Sequence, residues 1–200
     1  RTGVVLRGGS SATERCENRM QFWISCTGEA PNLESLPVAD IVDYPLEPAE
    51  YKPFAQARLC LTPSRLLVEL WAFEVRPEPE SSLRAVFFPE GEGGPVLSFQ
   101  CWSGGRWEAY RDGRPVEPEV HPLSGENLQG VYWGTRVSFP RSWVETAPGA
   151  LCPGTVLYGN LYKLSDSPRK PHQGSLFPAD FAGGHPEAFP SMGSFQIVSY

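Results

Sequence analysis

The chain is punctuated along its length by residues that helix interiors do not tolerate: 21 prolines and 20 glycines among 200 residues. Proline lacks the amide hydrogen a helix needs and clashes with the preceding turn, and a mid-helix glycine costs about 1 kcal/mol. No repeat or low-complexity tract accounts for them. Between them lie short segments in which apolar and polar residues alternate, the period-2 pattern of a half-buried strand. The fold these segments predict is all-β: an antiparallel β-sandwich of two stacked sheets, with about nine to twelve short strands and little helix.

Strands are expected at 21–27 (QFWISCT), 38–42, 55–61 (AQARLCL), 66–75 (LLVELWAFEV), 83–88, 96–102, 106–111, 114–116, 130–139 (GVYWGTRVSF), 155–164 (TVLYGNLYKL) and 194–199 (SFQIVS). Thr62-Pro63-Ser64, Ser103-Gly104-Gly105 and Asp112-Gly113 read as the turns between neighbours, because proline presets φ and glycine accepts φ > 0. Pro77 and Pro79 close one run and Pro140 another, and 141–146 (RSWVET) suggests a single helical turn. Residues 1–19 read as a polar lead-in with one short edge strand at 3–7, and 20–200 as one domain. A chain of this size buries enough surface to need neither disulfides nor metal as staples.

Composition narrows the partners. Net charge is −6 and the longest cationic cluster is Arg169-Lys170, so nucleic acid is not expected, since phosphate neutralisation needs clustered cations. No apolar run reaches the roughly 18 residues of a membrane span. The start, RTGVVLRGGSS, lacks the long apolar centre of a secretion signal, which favours a cytoplasmic over a secreted protein. Cysteines at 16, 26, 60, 101 and 152 are odd in number and form no CxxC; they read as buried thiols in a reducing compartment, with a Cys16–Cys26 bridge as the rival.

Four segments stand out: YKPFAQARLCLTPSRLLVELWAFEV (51–75), LSFQCWSGGRWEAYRDGR (97–114), VYWGTRVSFPRSWV (131–144) and, most specifically, NLYKLSD with the His, Ser, Pro and HPEAF that follow it, from Asn160 to Phe189. Together they resemble carbohydrate-binding module family 9. The resemblance runs over roughly 36–198, in the family's order. It implies a β-sandwich of the DOMON-like kind that binds sugar without chemistry of its own, in some members with structural calcium. Two departures stand out. Leu176 follows Ser175 where the family has a Trp, and Arg84 stands where it has an acid.

Sugars offer C–H faces to aromatic rings and hydroxyls to amides, carboxylates and cations. The aromatic candidates are Trp71, Trp102, Trp107 and Trp133; Trp102 and Trp107 flank a Gly-Gly turn and are the pair expected to reach solvent. Each competes with a plain core role. The polar candidates for the ligand are Asn160, Lys163 and His172, and those for a structural network are Asp166, Ser175 and His185. Strand alternation sends Lys163 to the face opposite Asn160. One arrangement pairs Lys163 with Asp166 to hold down an irregular closing segment, whose backbone needs side-chain partners. The rim-of-cleft arrangement instead predicts that Lys163→Ala removes sugar binding and spares the melting temperature.

No cofactor is expected. His172 and His185, with Asp180 or Glu187, are formally a two-His, one-carboxylate set. Asp40, Asp43 and Glu74 are candidate oxygens for calcium, without an EF-hand loop. Nucleophile-elbow, P-loop and zincin motifs do not occur. Glu69, Glu74 and Glu108 are the strand-borne carboxylates that a glycosidase would use. The expected function is carbohydrate binding, with a glycoside-processing enzyme or a protein-binding relative on the same scaffold as alternatives.

Overall fold

A computed structural model describes residues 20–47 and 53–200. The strands are β1 (Gln21–Cys26), β2 (Ala39–Ile41), β3 (Ala55–Leu61), β4 (Arg65–Ala72), β5 (Ser82–Phe88), β6 (Leu97–Trp102) and β7 (Trp107–Arg111). They continue as β8 (Arg114–Pro115), β9 (Glu119–Asn127), β10 (Gly130–Pro140), β11 (Val156–Ser165), β12 (His172–Ser175) and β13 (Gly193–Ser199). Among the described residues the helical elements are three short 3-10 turns, one of them at Arg141–Trp143 where a helical turn is expected. The strand expected at 3–7 and the thiol of residue 16 lie outside the described residues.

The local signals hold where turns are tight. β3 and β4 pair antiparallel across Thr62-Pro63-Ser64, with Leu61 opposite Leu66. β6 and β7 pair across Ser103-Gly104-Gly105. At the β7–β8 turn Asp112 and Gly113 take φ of 51° and 71°, the left-handed pair a two-residue hairpin needs.

Hydrogen bonding joins the strands into one continuous sheet, where the sequence pattern suggests two. Its order is β8-β7-β6-β5-β11-β13-β1-β3-β4-β10-β9, with β12 on β11 and β2 on β3. The join is β1, which pairs parallel to β13 on one side and to β3 on the other; it is an exception to the expected antiparallel pairing. The sheet curls until its halves face each other. Phe139 of β10 touches both Phe87 of β5 and Phe99 of β6, with ring centroids 6.3 and 6.2 Å apart, although these strands lie far apart in the sheet order. The enclosed core includes Leu66, Val68, Leu70 and Ala72 of β4 and Leu157 and Leu161 of β11. Each large buried side chain contributes roughly 1.5–3 kcal/mol.

Two smaller clusters lie on the outer face. Leu36 covers Cys60 and Leu67. Phe181 and Met192 of the closing segment cover Val86, Phe88 and Tyr162. At the edge, β9 is largely exposed and carries Glu119, His121, Pro122 and Glu126, the charges and proline that keep an edge strand from pairing with another chain.

Candidate functional site

Alternation along two strands places opposite charges on the inner face. On β4 the inward series Leu66, Val68, Leu70, Ala72 extends past the strand end to Glu74. On β11 the series through Leu157 and Leu161 extends to Lys163, which is completely buried. A buried ammonium is tolerable only if paired and hydrogen-bonded, and Lys163 is both. Its Nζ lies 3.3 Å from Glu74 Oε2. It donates to Ser81 Oγ at 2.6 Å and is 2.6 Å from His172 Nε2. His172 Nδ1 lies 2.9 Å from the Lys170 carbonyl, so Nδ1 carries the imidazole proton and Nε2 accepts from Lys163. The three donors of the ammonium thus have three acceptors.

Glu74 is held through a single oxygen. Oε2 accepts from Ser81 Oγ at 2.7 Å and from Trp133 Nε1 at 2.9 Å, in addition to the Lys163 contact. The Trp133 ring lies beside the same cation, its centroid 5.9 Å from Nζ. Burial alone would raise the Glu74 carboxyl, but Lys163 and the bonds from Ser81 and Trp133 outweigh it and hold the group below its ordinary value. Burial pulls Lys163 down to about 8 against the opposing pull of Glu74. Burial, and then the Lys163 cation, push His172 down to about 4. At neutral pH the cluster is a carboxylate, an ammonium and a neutral imidazole.

This cluster closes one end of the core, and a cleft of about 380 Å³ opens against it, lined by Pro53, Phe73, Glu74, Val75, Arg76 and Lys170. With Oε2 occupied, Glu74 has Oε1 left for a group in the cleft. Phe73 is braced by Phe54, stacked at 5.6 Å, and by Tyr132, edge-on at 6.0 Å. A half-buried ring backed in this way offers a fixed apolar surface.

No family model and no curated protein matches the sequence. Solved structures do match. A Bacteroides uniformis protein named for a proposed carbohydrate-binding role superimposes with a TM-score of 0.68 at 18% identity, over 90% of this chain and 100% of that one. A family 9 carbohydrate-binding module of Caldicellulosiruptor kristjanssonii, solved with cellotriose, gives 0.61 at 10% identity, over 90% and 95% of the two chains. The same family in complex with glucose gives 0.59 at 10% identity, over 90% and 97%. The chain has the family 9 module fold.

Within that fold, the two departures from the family 9 pattern have structural roles. Leu176 packs against the core and donates its amide to Leu161 O at 2.9 Å, so position 176 does not line the cleft. Arg84 clamps the closing segment: its Nη2 donates to Glu187 Oε2 at 3.0 Å and its Nη1 to Gln100 Oε1 at 3.0 Å, with a further contact from Nε to Glu187 Oε1.

Of the seven ligand candidates, Trp133, Lys163 and His172 come together around Glu74, behind the cleft lining, and the other four lie elsewhere. Trp71 is buried on the outer face under the Arg58 guanidinium, 5.0 Å from its ring. Trp102 is covered by Arg106 at 3.5 Å. Trp107 turns inward and stacks on Phe99 at 6.2 Å, so the Gly-Gly turn does not bring both rings to solvent. Asn160 is fully buried. Its Nδ2 donates to Phe177 O and Ser191 O, each at 2.9 Å, and its Oδ1 accepts from the Leu161 and Phe177 amides.

The proposed structural set separates in the same way. Ser175 is buried and donates to Phe177 O at 2.7 Å, beside the Asn160 anchor. His185 is exposed and is tied through its backbone to Asp180. Asp166 is exposed. The Lys163–Asp166 pairing is therefore replaced by Lys163–Glu74, because the strand directs Lys163 into the core. The same burial overturns the expectation that Lys163→Ala spares the melting temperature. The closing segment is also more regular than expected, since β12 pairs with β11.

Among the described residues no group of three or more His, Cys, Asp or Glu is placed to hold a metal ion. Asp40 accepts from Gln56 at 3.0 Å, and Glu187 is engaged by Arg84. Cys60 and Cys101 are buried free thiols, Cys26 is half-buried and Cys152 exposed. No helix among the described residues is long and apolar enough to cross a membrane. The elements that sequence reasoning missed at the site are Phe73, Ser81, Arg76 and Lys170. Glu74 was named from the sequence only as a strand-borne carboxylate and a candidate calcium oxygen, and Lys163 as a ligand candidate paired with Asp166; their pairing with each other was not read.

Proposed function

We propose that this chain binds a carbohydrate, without chemical turnover, in the cleft where Phe73 and Glu74 meet. One observation carries the reading: Glu74 is fixed through Oε2 by Trp133, Ser81 and Lys163, and it lines the same cleft as the braced ring of Phe73. A carboxylate oxygen accepts two sugar hydroxyls well, and an aromatic face receives the C–H side of a pyranose. We read the two facing halves of the curled sheet as the layers of a sandwich, whose rigidity preforms the site and limits the ordering cost of binding. The sugar complexes known for family 9 modules lend the reading support from the same fold.

The hydrolytic alternative needs two carboxylates about 5–9.5 Å apart. Glu74 is the one carboxylate among the described lining residues. Glu69 is held by Arg136 at 2.7 Å and Glu108 by Arg106 at 2.7 Å. This favours binding over turnover.

The test is a thermal-shift screen of neutral and acidic mono- and disaccharides on the wild type and on Phe73→Ala. A sugar that binds only the folded state raises the transition by RT ln(1 + [L]/Kd). The reading expects a shift in the wild type that Phe73→Ala loses. No shift with any sugar, or one that Phe73→Ala leaves intact, contradicts it. Turnover of a chromogenic glycoside would replace it with the enzyme reading.

A further inference from the structure

We propose that the outer face of β1 and β13 is a saccharide-binding surface separate from the cleft. On it the Trp23 indole stacks a neutral pyranose, and the amides of Gln21 and Gln196 hold the sugar's hydroxyls. The inference does not rest on the cleft reading, because the groove beside Trp23 shares no lining residue with the cleft.

Strand alternation turns Trp23 outward. Phe22 packs edge-on against Phe195 and Ile24 is fully buried in the core, so Gln21, Trp23 and Ser25 point the other way. β13 repeats the pattern: Phe195 and Ile197 belong to the core, and Ser194, Gln196 and Val198 face out. The parallel register sets Gln21 beside Ser194, Trp23 beside Gln196 and Ser25 beside Val198. In the sheet order these two strands lie between two covered patches. Leu36 covers Cys60 and Leu67 on one side, and Phe181 and Met192 cover Val86, Phe88 and Tyr162 on the other. Between them Trp23 is 61% exposed, with Pro37 lining a groove of about 140 Å³ beside it.

The chemistry of the face selects the occupant. The outward side chains of β1 and β13 are two amides, two hydroxyls, an indole and a valine, without a charge, on a chain in which 20% of residues are charged. Nucleic acid, an acidic peptide or a metal ion needs charges that this face lacks. An apolar protein surface docked here would bury the amides without partners, which is costly. Among the described residues the side chains of Gln21, Trp23 and Gln196 have no hydrogen-bond partner in the protein. A neutral sugar uses all three. Its C–H face lies on the indole, and each amide both donates to and accepts from hydroxyls. Strand spacing places the Gln196 backbone about 4.8 Å from that of Trp23 and the Gln21 backbone about 6.7 Å from it, so both amides reach a ring stacked on the indole.

Titration of cellotriose, xylotriose and mannotriose into the isotope-labelled full chain, followed by NMR, tests this. The Trp23 indole Nε1–H signal is identified by its loss in Trp23→Ala. That signal and the Gln196 side-chain amide should shift saturably with at least one of the sugars, in the wild type and in Phe73→Ala alike. Retention in a gel containing a soluble polymer of that sugar should weaken about tenfold in Trp23→Ala, the effect of removing an aromatic anchor, with the variant's fold checked by its melting transition. A Trp23 signal that none of the sugars moves, or that glycerol at the same mass concentration moves equally, overturns the inference and leaves the cleft reading standing. A signal that shifts on dilution without sugar marks a contact between copies and overturns it too, as does a sugar shift that disappears in Phe73→Ala. A Trp23 response beside a thermal shift that Phe73→Ala leaves intact upholds this inference and contradicts the cleft reading.

Discussion

The Lys163 ammonium sits 3.3 Å from Glu74 Oε2 with no exposure of its own, while the carboxylate side chain is 8% exposed at the base of the cleft. The pair joins core to surface: the cation belongs to the interior, and the anion it fixes belongs to the site. On the proposed reading, stability and binding are linked through this one contact.

Removing either partner leaves a buried charge without compensation, which costs about 3–5 kcal/mol. Lys163→Met should lower the urea midpoint by an amount of that order at an unchanged denaturant slope. The double variant Lys163→Met, Glu74→Gln should recover much of the loss, because it removes both charges. A single variant within about 0.5 kcal/mol of wild type, the usual range of surface changes, would show that the pair is not formed.

Acid should weaken the fold through His172. Its pKa falls from 6.5 to about 4 on folding, so between these values the unfolded chain binds more protons than the folded one. The stabilisation is complete above about pH 6.5 and is lost as pH falls through about 4. For an imidazole 1% exposed, a shift of this size corresponds to roughly 3 kcal/mol. Denaturation at a series of pH values should show this slope, and His172→Gln should reduce it. Glu74 adds loss at lower pH, as its depressed carboxyl becomes protonated. An imidazole titrating near 6.5 in the folded protein would contradict the burial.

Asn160 anchors the closing segment with one amide. Asn160→Ala leaves two buried carbonyls and two amides without that partner, and each unsatisfied group costs about 1–3 kcal/mol. The loss should exceed about 3 kcal/mol, with faster hydrogen exchange concentrated in residues 176–192. Uniform loss of protection across the sheet would indicate a global effect instead.

Arg84 and Glu187 hold the same segment from its rim, but their side chains are 20% and 40% exposed. Solvent screens such a pair, and a double-mutant cycle should give a coupling of about 1 kcal/mol or less. A coupling of several kcal/mol would mean that this clamp, rather than Asn160, fixes the segment.

Much of the fold was legible because its signals are local. β3, β4 and their turn follow from alternation and from Thr62-Pro63-Ser64. The exceptions depend on distant partners. β9 contains Pro122 and Gly125 and buries little, and it is a strand because β10 offers it an edge. β12 reads HQGS, without an apolar residue, and exists because β11 has a free edge beyond β13. The merging of two expected sheets into one depends on the parallel pairing of residues 21–26 with 194–199, which no local pattern announces. At the candidate site, three of the residues named from the sequence, Lys163, His172 and Trp133, lie together around Glu74. The partner of Lys163 was misassigned to the nearby Asp166, because the inward-facing carboxylate, Glu74, lies just past the end of β4, remote in sequence.

A crystal structure of the protein with glucose or cellotriose would test the central claim most directly. The account predicts a sugar hydroxyl within hydrogen-bonding distance of Glu74 Oε1, the ring against Phe73, and Oε2 still on Trp133 and Ser81. A sugar seated in the cleft away from Phe73 and Glu74, or a cleft that stays empty at saturating sugar, would contradict it.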